Sequence, residues 1–297
     1  NSITFGTEVQ PNSSNVYSNS TSISYNDDAS RWVYGMAVDS STSTLLYLLT
    51  NSGTTISLVS GGSADATITN GAQDYYNWAN KYDPDTNKTV IGTDYYSGSN
   101  NGRIYACTIG ASSITVGSSP YSMTGGTFEE GSHELVYDTN QNKWLLLQCN
   151  ETSNYISGTV ITASTDTFSG GTKTVLNSDP SRNLASYFDT TKNHIVTGYQ
   201  YYTTGYYGKM GEISITGTTP SWTDVTQTIC NQTSVRIIPK SALYNPDTNT
   251  GFITGTFDHS SSDGLATVIY YATNTTYTQT DAQYIGEAIS TTALKLK

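Results

Sequence analysis

The stretch Tyr82-Asp83-Pro84-Asp85-Thr86-Asn87-Lys88, running straight into the apolar Thr89–Gly92, decides the fold. An acidic residue followed by turn formers caps backbone N–H groups, and an apolar run directly after it reads as the return strand of a hairpin. The phrase recurs as Tyr137-Asp138-Thr139-Asn140-Gln141-Asn142-Lys143 before Trp144–Gln148, and as Phe188-Asp189-Thr190-Thr191-Lys192-Asn193 before His194–Tyr199. It recurs again as Tyr244-Asn245-Pro246-Asp247-Thr248-Asn249-Thr250 before Gly251–Phe257. A weaker copy is read at Val38-Asp39, followed by Ser40–Thr44 and Leu45–Leu49. The Asp/Asn positions 39, 83, 138, 189 and 245 are 44, 55, 51 and 56 residues apart. Propeller blades repeat at roughly 40–50 residues, longer than most solenoid coils.

Further strands follow at regular distances. Third strands are predicted at Thr55–Ser60, Gly102–Ile109, Gly158–Thr162, Lys209–Ile215 and Leu265–Ala272, and fourth strands at Ser113–Ser118, Thr167–Thr172 and Ser221–Gln227. The pattern predicts an all-β chain: a five-bladed β-propeller of four-stranded antiparallel blades in a single domain over 1–297. The repeat units run about 10–62, 63–118, 119–176, 177–228 and 229–288. The last unit shows no clean fourth strand, while Ser2–Val9 resembles a fourth strand without its leading three. The N-terminal strand 2–9 is therefore expected to close the ring on the last blade, or to complete a neighbouring subunit, with 289–297 a tail leading to a following module or partner.

The cadence Tyr82–Ile91, Gly102–Tyr105 and Ser113–Gly117, with Ser2–Gly6, resembles the propeller-like repeats of bacteriophage tail-fibre and virion surface proteins. The segment Gln283–Ala288 resembles the phrase that ends such arrays. The resemblance covers most of the chain and implies a virion-surface structural or receptor-binding role, with adhesion to cell-surface glycans or to other virion or fibre subunits.

Composition narrows the partners. Only 12% of residues are charged, net charge is −11, and the 13 basic residues are scattered singly. No clustered Lys/Arg footprint is available for nucleic acid. No apolar run approaches the roughly 18 residues of a spanning helix, so no membrane insertion is expected and the location is taken as extracellular or virion surface. The absence of an initiator Met implies a processed or partial chain. Cys107, Cys149 and Cys230 lack metal or redox spacing and read as small buried hydrophobes, with room for at most one disulfide. The sequons Asn12, Asn19, Asn87, Asn150, Asn231 and Asn274 are N-glycosylation sites if the chain passes through a glycosylating pathway.

Catalytic groups are scarce. His133 precedes a strand, His194 follows a turn and His259 sits in the polar loop Asp258–Gly264, none spaced for a nucleophile or metal. Asp83, Asp85, Asp138, Asp189 and Asp247 lie in the repeated turn, where capping accounts for them. Asp27-Asp28 and Glu129-Glu130 match no calcium-loop consensus, so no metal and no cofactor are expected. Of 24 tyrosines, the doublets Tyr95-Tyr96, Tyr201-Tyr202 and Tyr206-Tyr207 are the candidate ligand-binding residues, since adjacent strand residues face opposite sides. Trp32, Trp78, Trp144 and Trp222 read as packing anchors. The expected function is a non-enzymatic binding or structural module. The alternatives are a secreted five-bladed glycoside hydrolase or lyase, using paired carboxylates, and a self-assembling extracellular fibre subunit.

Overall fold

The structure is a computed structural model that describes residues 9–11, 16–38, 43–69, 77–95, 101–123, 128–150, 154–201, 207–230, 235–259, 266–273, 283–284, 286–290 and 293–296. Every regular element among them is a strand, and the strands form successive antiparallel sheets. The first sheet holds β1 (Val16–Asn26), β2 (Arg31–Val38), β3 (Ser43–Ser52), β4 (Thr55–Leu58) and β5 (Ala66–Thr69). The second holds β6 (Asn77–Asp83), β7 (Lys88–Tyr95), β8 (Asn101–Ile109), β9 (Ile114–Val116) and β10 (Tyr121–Ser122). The third holds β11 (Phe128–Asp138), β12 (Lys143–Asn150), β13 (Ile156–Ser164), β14 (Thr167–Gly170) and β15 (Thr174–Asn177). The fourth holds β16 (Ser181–Asp189), β17 (His194–Tyr201), β18 (Tyr207–Thr216) and β19 (Thr219–Cys230). The fifth holds β20 (Val235–Asn245), β21 (Thr250–His259), β22 (Ala266–Thr273) and β23 (Gln283–Tyr284), and a separate hairpin joins β24 (Gly286–Ser290) to β25 (Ala293–Leu296).

Each sheet begins with the same turn. Asp83 Oδ1 accepts the N–H groups of Asp85 and Thr86 at 3.0 and 3.2 Å; Asp138 does the same for Asn140 and Gln141, and Asp189 for Thr191 and Lys192. Asn245 accepts from Asp247 at 3.0 Å. Four residues after the cap the chain turns left-handed, at Asn87, Asn142, Asn193 and Asn249 with φ between 51° and 57°. Asparagine tolerates that region better than most side chains. The first copy of the turn is not at Val38-Asp39. It is at Tyr25-Asn26, where Asn26 Oδ1 accepts from Ala29 N at 2.9 Å and Ser30 takes the left-handed place with φ 51°. Read from Asn26, the repeats are 57, 55, 51 and 56 residues apart. Asp39 itself lies outside the described residues, between β2 and β3.

The fourth position of three sheets is broken in two. β4 and β5 share the edge of β3, β9 and β10 that of β8, and β14 and β15 that of β13. The ladder continues across the breaks through Val59 N to Leu48 O, Gly117 N to Ala106 O and Gly171 N to Val160 O. The fifth sheet is completed by β23, pairing Tyr284 with Val268, so its fourth place is filled by the phrase expected to lead into a following module. The expected tail 289–297 contributes instead to the β24–β25 hairpin. The closing strand Ser2–Val9 falls, except for Val9, outside the described residues.

The chain divides into two compact units: 1–127 with 163–169, and 128–162 with 170–297. In the first, the leading strands β1 and β6 pack together over a core of Val33, Leu46, Leu48, Ile91, Tyr105 and Cys107. In the second, β11, β16 and β20 pack in succession, with Leu145, Leu147, Val160, Leu184, Ile195 and Tyr199 at the centre. A basic residue five places after the cap reaches forward to a turn of the following repeat. Arg31 Nε donates to Ala111 O at 3.0 Å, Lys88 Nζ lies 3.5 Å from Asp166 Oδ1, and Lys143 Nζ donates to Gly217 O at 2.6 Å. Cys107 and Cys149 are buried, and burial pushes the Cys107 thiol up to about 12. Trp78 packs on Gly92, leaving no room for a methyl group there.

Two stability outcomes follow. Asp138→Ala, which removes the acceptor of the Asn140 and Gln141 N–H groups, is expected to cost about 1–2 kcal/mol in urea unfolding, while Asp138→Asn stays within about 0.5 kcal/mol because Asn26 and Asn245 already do this task. Gly92→Ala places a Cβ 2.7 Å from the Trp78 ring and is expected to cost about 1–3 kcal/mol by overpacking, read as a shift of the urea midpoint.

Candidate active site at the leading-strand bulges

Every leading strand breaks register at or before its midpoint, on the side away from the repeated turn. The breaks fall between Val16 and Thr21, at Trp78, between Phe128 and His133, at Asn183 and at Lys240. Such bulges bend a strand, re-aim side chains and concentrate beside functional sites. In the second compact unit, ionisable residues that the repeated turn does not use fall in sequence at or ahead of the starts of the leading strands. Glu129 and Glu130 lie within the β11 break, and Asp179 stands just before β16. Asn183 holds a left-handed backbone, φ 49°, and donates from Nδ2 to Gln200 Oε1 at 3.1 Å.

Asp179 is held in place from several sides. Its Oδ2 accepts from Lys209 Nζ at 2.7 Å and from the Tyr199 hydroxyl at 3.3 Å, and Tyr199 in turn accepts from Asn177 Nδ2 at 2.9 Å. The Lys209 ammonium also lies 3.6 Å from the centre of the Tyr201 ring. The carboxylate is thus presented in one orientation while Lys209 is shared between a charge and a ring face. His133, within β11 rather than before it, is paired with Gln148 across the ladder and buried. Burial pushes its imidazole down to about 3, and the nearby Lys173 ammonium adds to the effect. Lys173 is itself lowered by partial burial.

The tyrosines proposed from the sequence are partly placed. Tyr95 ends β7, Tyr201 ends β17 and pairs with Tyr207 at the start of β18. One face of Tyr201 is taken by Lys209. Tyr96, Tyr202 and Tyr206 lie outside the described residues, as do Asn12, Asn231 and Asn274. Asn87 is exposed but sits inside the repeated turn, its Oδ1 accepting from the Tyr82 hydroxyl at 2.9 Å; Asn19 and Asn150 lie in β1 and β12. His194 binds Glu212 at 3.1 Å beside Lys192, and His259 ends β21 rather than lying in a loop. Trp78, Trp144 and Trp222 pack against neighbours, whereas Trp32 stays exposed. Among the described residues no three His, Cys, Asp or Glu side chains gather closely enough for a metal ion. The sequence reading passed over Asp179, Lys173 and the Glu129-Glu130 placement because a bulge leaves no signature in hydrophobic alternation.

No protein-family model matches the chain, and no curated protein matches its sequence. Solved structures do match its fold. An exo-β-1,3-galactanase from Phanerochaete chrysosporium, solved with β-1,3-galactotriose, superposes with a TM-score of 0.55 at 11% identity, over 81% of this chain and 56% of its own. A GH43 β-1,3-galactosidase gives 0.50 at 9%, over 86% and 56%. An exo-β-1,3-galactanase from Clostridium thermocellum gives 0.52 at 12%, over 99% and 64%. The chain therefore spans a little over half the length of the first two. At this identity the likeness is one of fold: an all-β chain of antiparallel sheets like those of propeller-fold GH43 enzymes. This goes against the expectation of a module without catalysis, because the fold is one that glycoside hydrolases use. The expectation rested on carboxylates committed to turns. It weighed Glu129-Glu130 only as calcium ligands and did not weigh Asp179.

No helix among the described residues is long and apolar enough to cross a membrane. His133 makes a pH prediction: its folded pKa lies below the ordinary 6.5, so the unfolded chain binds the proton more tightly. Stability is full above about pH 6.5 and falls progressively toward about pH 3, by up to several kcal/mol. His133→Gln is expected to flatten that limb in urea unfolding measured between pH 7 and 4.

Proposed function

We propose that the chain is an extracellular glycoside hydrolase of the propeller class, acting on a neutral polysaccharide of the β-1,3-galactan type. The observation that carries the reading is the set of carboxylates at the bulged starts of two adjacent leading strands: Glu129 and Glu130 on β11, and Asp179 ahead of β16. Glycosidic cleavage needs one carboxylic acid to protonate the leaving oxygen and a second carboxylate to act as nucleophile or to activate water. Leading strands of two sheets packed against each other can hold such a pair at a fixed separation, and Lys209 and Tyr199 fix Asp179 independently of any substrate. The fold likeness to galactanases supports the choice of first substrate. A chain poor in charge, with a net −11, suits an uncharged polymer better than an anionic one.

The test is release of sugar from β-1,3-galactan, with arabinan, xylan and polygalacturonate as comparisons. Wild-type turnover on galactan is expected, together with a loss of about 10²–10⁴-fold in Glu129→Gln or Glu130→Gln and in Asp179→Asn. No turnover on any of the four polymers, or turnover indifferent to all three substitutions, would sink the reading.

A further inference from the structure

The first sheet carries a groove of about 400 Å³ lined by Ile23, Trp32, Leu49, Asn51, Thr54 and Ile56, together with the backbone at Gly53. That volume lies within the roughly 300–1,000 Å³ of small-ligand sites. The groove is confined to the turn end of one face: farther along the same face, Met36 and Tyr47 are buried. Leu49 forms its buried floor, while Ile23 is 53% exposed, Ile56 47% and Trp32 37%. The matching tryptophan of the third sheet, Trp144, six residues after its own cap, is 1% exposed. The repeat thus supplies an aromatic at this place, and the first sheet leaves it open.

The ring is also fixed. The Trp32 indole N–H donates to Asn51 Oδ1 at 3.2 Å, and Tyr25, its cross-strand partner, stands 5.0 Å away at 54°. Holding the ring costs a ligand no ordering, and the Asn51 Nδ2 and the Thr54 hydroxyl remain at the rim as hydrogen-bonding groups. No ionisable side chain lines the groove. A neutral pyranose fits this chemistry: its axial C–H groups meet the negative face of the indole, and its hydroxyls meet the amide and hydroxyl of the rim. A lipid or an apolar peptide would leave those rim groups unanswered, and a charged sugar would find no counter-charge.

We infer that the groove over Trp32 binds neutral oligosaccharides whose rings present an apolar C–H face, as β-galactosides do, at a place apart from the leading-strand bulges. The inference rests on the lining and holds whether or not the chain hydrolyses glycans. The experiment follows the Trp32 indole N–H resonance of the full chain, assigned by its disappearance in Trp32→Phe, during titration with β-1,3-galactotriose and with trigalacturonate. A saturable shift with galactotriose is expected, weakened at least about tenfold in Ile56→Arg, with little response to trigalacturonate; in Trp32→Ala, which lacks this resonance, titration calorimetry is expected to show a loss of at least about tenfold. Ile56→Arg blocks the groove from an exposed position and leaves the indole and Asn51 in place, so a folding defect in Trp32→Ala does not decide the outcome. Glu129→Gln should bind galactotriose at this resonance as wild type does, which separates the groove from the hydrolytic reading. Three results would overturn it: no shift with galactotriose, equal binding of trigalacturonate, or acrylamide quenching that finds Trp32 shielded in the free protein, by another sheet or by a second copy seen in sedimentation.

Discussion

One hydrogen-bonded device sets the rest of this molecule in place: a carboxylate or amide that closes on the two N–H groups ahead of it and reverses the chain. Asp83, Asp138 and Asp189 are almost completely buried, so each carboxylate gives up water and regains its partners from the backbone. Removing the acceptor would leave those N–H groups, in part-buried bonds, without the carboxylate that closes the turn. Because the turn fixes where the leading strand ends and the second strand starts, it also fixes the register of every ladder beyond it. A slip of one residue would carry the whole apolar set to the wrong face.

From that fixed point the sheets are built outward with decreasing regularity. Leading and second strands pair cleanly next to the turn, and their facing side chains form the two cores. The outermost positions are short and interrupted, and where the fourth sheet keeps a single strand, β19, it slips register at three points. Short, irregular edges offer little to an incoming strand, which guards an all-β chain against edge-to-edge association. The far ends of the leading strands are irregular in another way. There the bulges free side chains from the alternation, and the residues with unusual surroundings, His133, Lys173 and Asp179, sit at or beside those ends.

The fold was legible where chemistry is local. Asp and Asn at a fixed distance from a left-handed Asn, followed by an apolar run, can be seen in the letters, and four of the five turns were found from them. The first was missed because Ser30 stands where the others have Asn, and because Asp39 offered a nearer match to the acid-then-apolar phrase. Aligning Tyr25-Asn26 with Tyr82-Asp83, and Trp32 with Trp144, would have found it. The site was much less legible. Bulges arise from pairing across strands distant in sequence, so the placement of Glu129 and the grip of Lys209 on Asp179 depend on partners that no short window contains. Assigning the repeated carboxylates to turns was correct for those residues. The acids at the starts of the leading strands were weighed only as calcium ligands, as Glu129-Glu130 were, or not at all, as with Asp179.

The forward-reaching basic residues bear on how such a repeat tolerates divergence. Arg31 and Lys143 end on main-chain carbonyls, those of Ala111 and Gly217. A carbonyl is present whatever residue carries it, so the receiving turn can exchange all its side chains and still be gripped. The donor needs only a long cation, and its contact contributes little enough that losing one copy is survivable. A lineage built this way can drift until hardly one position in ten matches while its sheets stay in step.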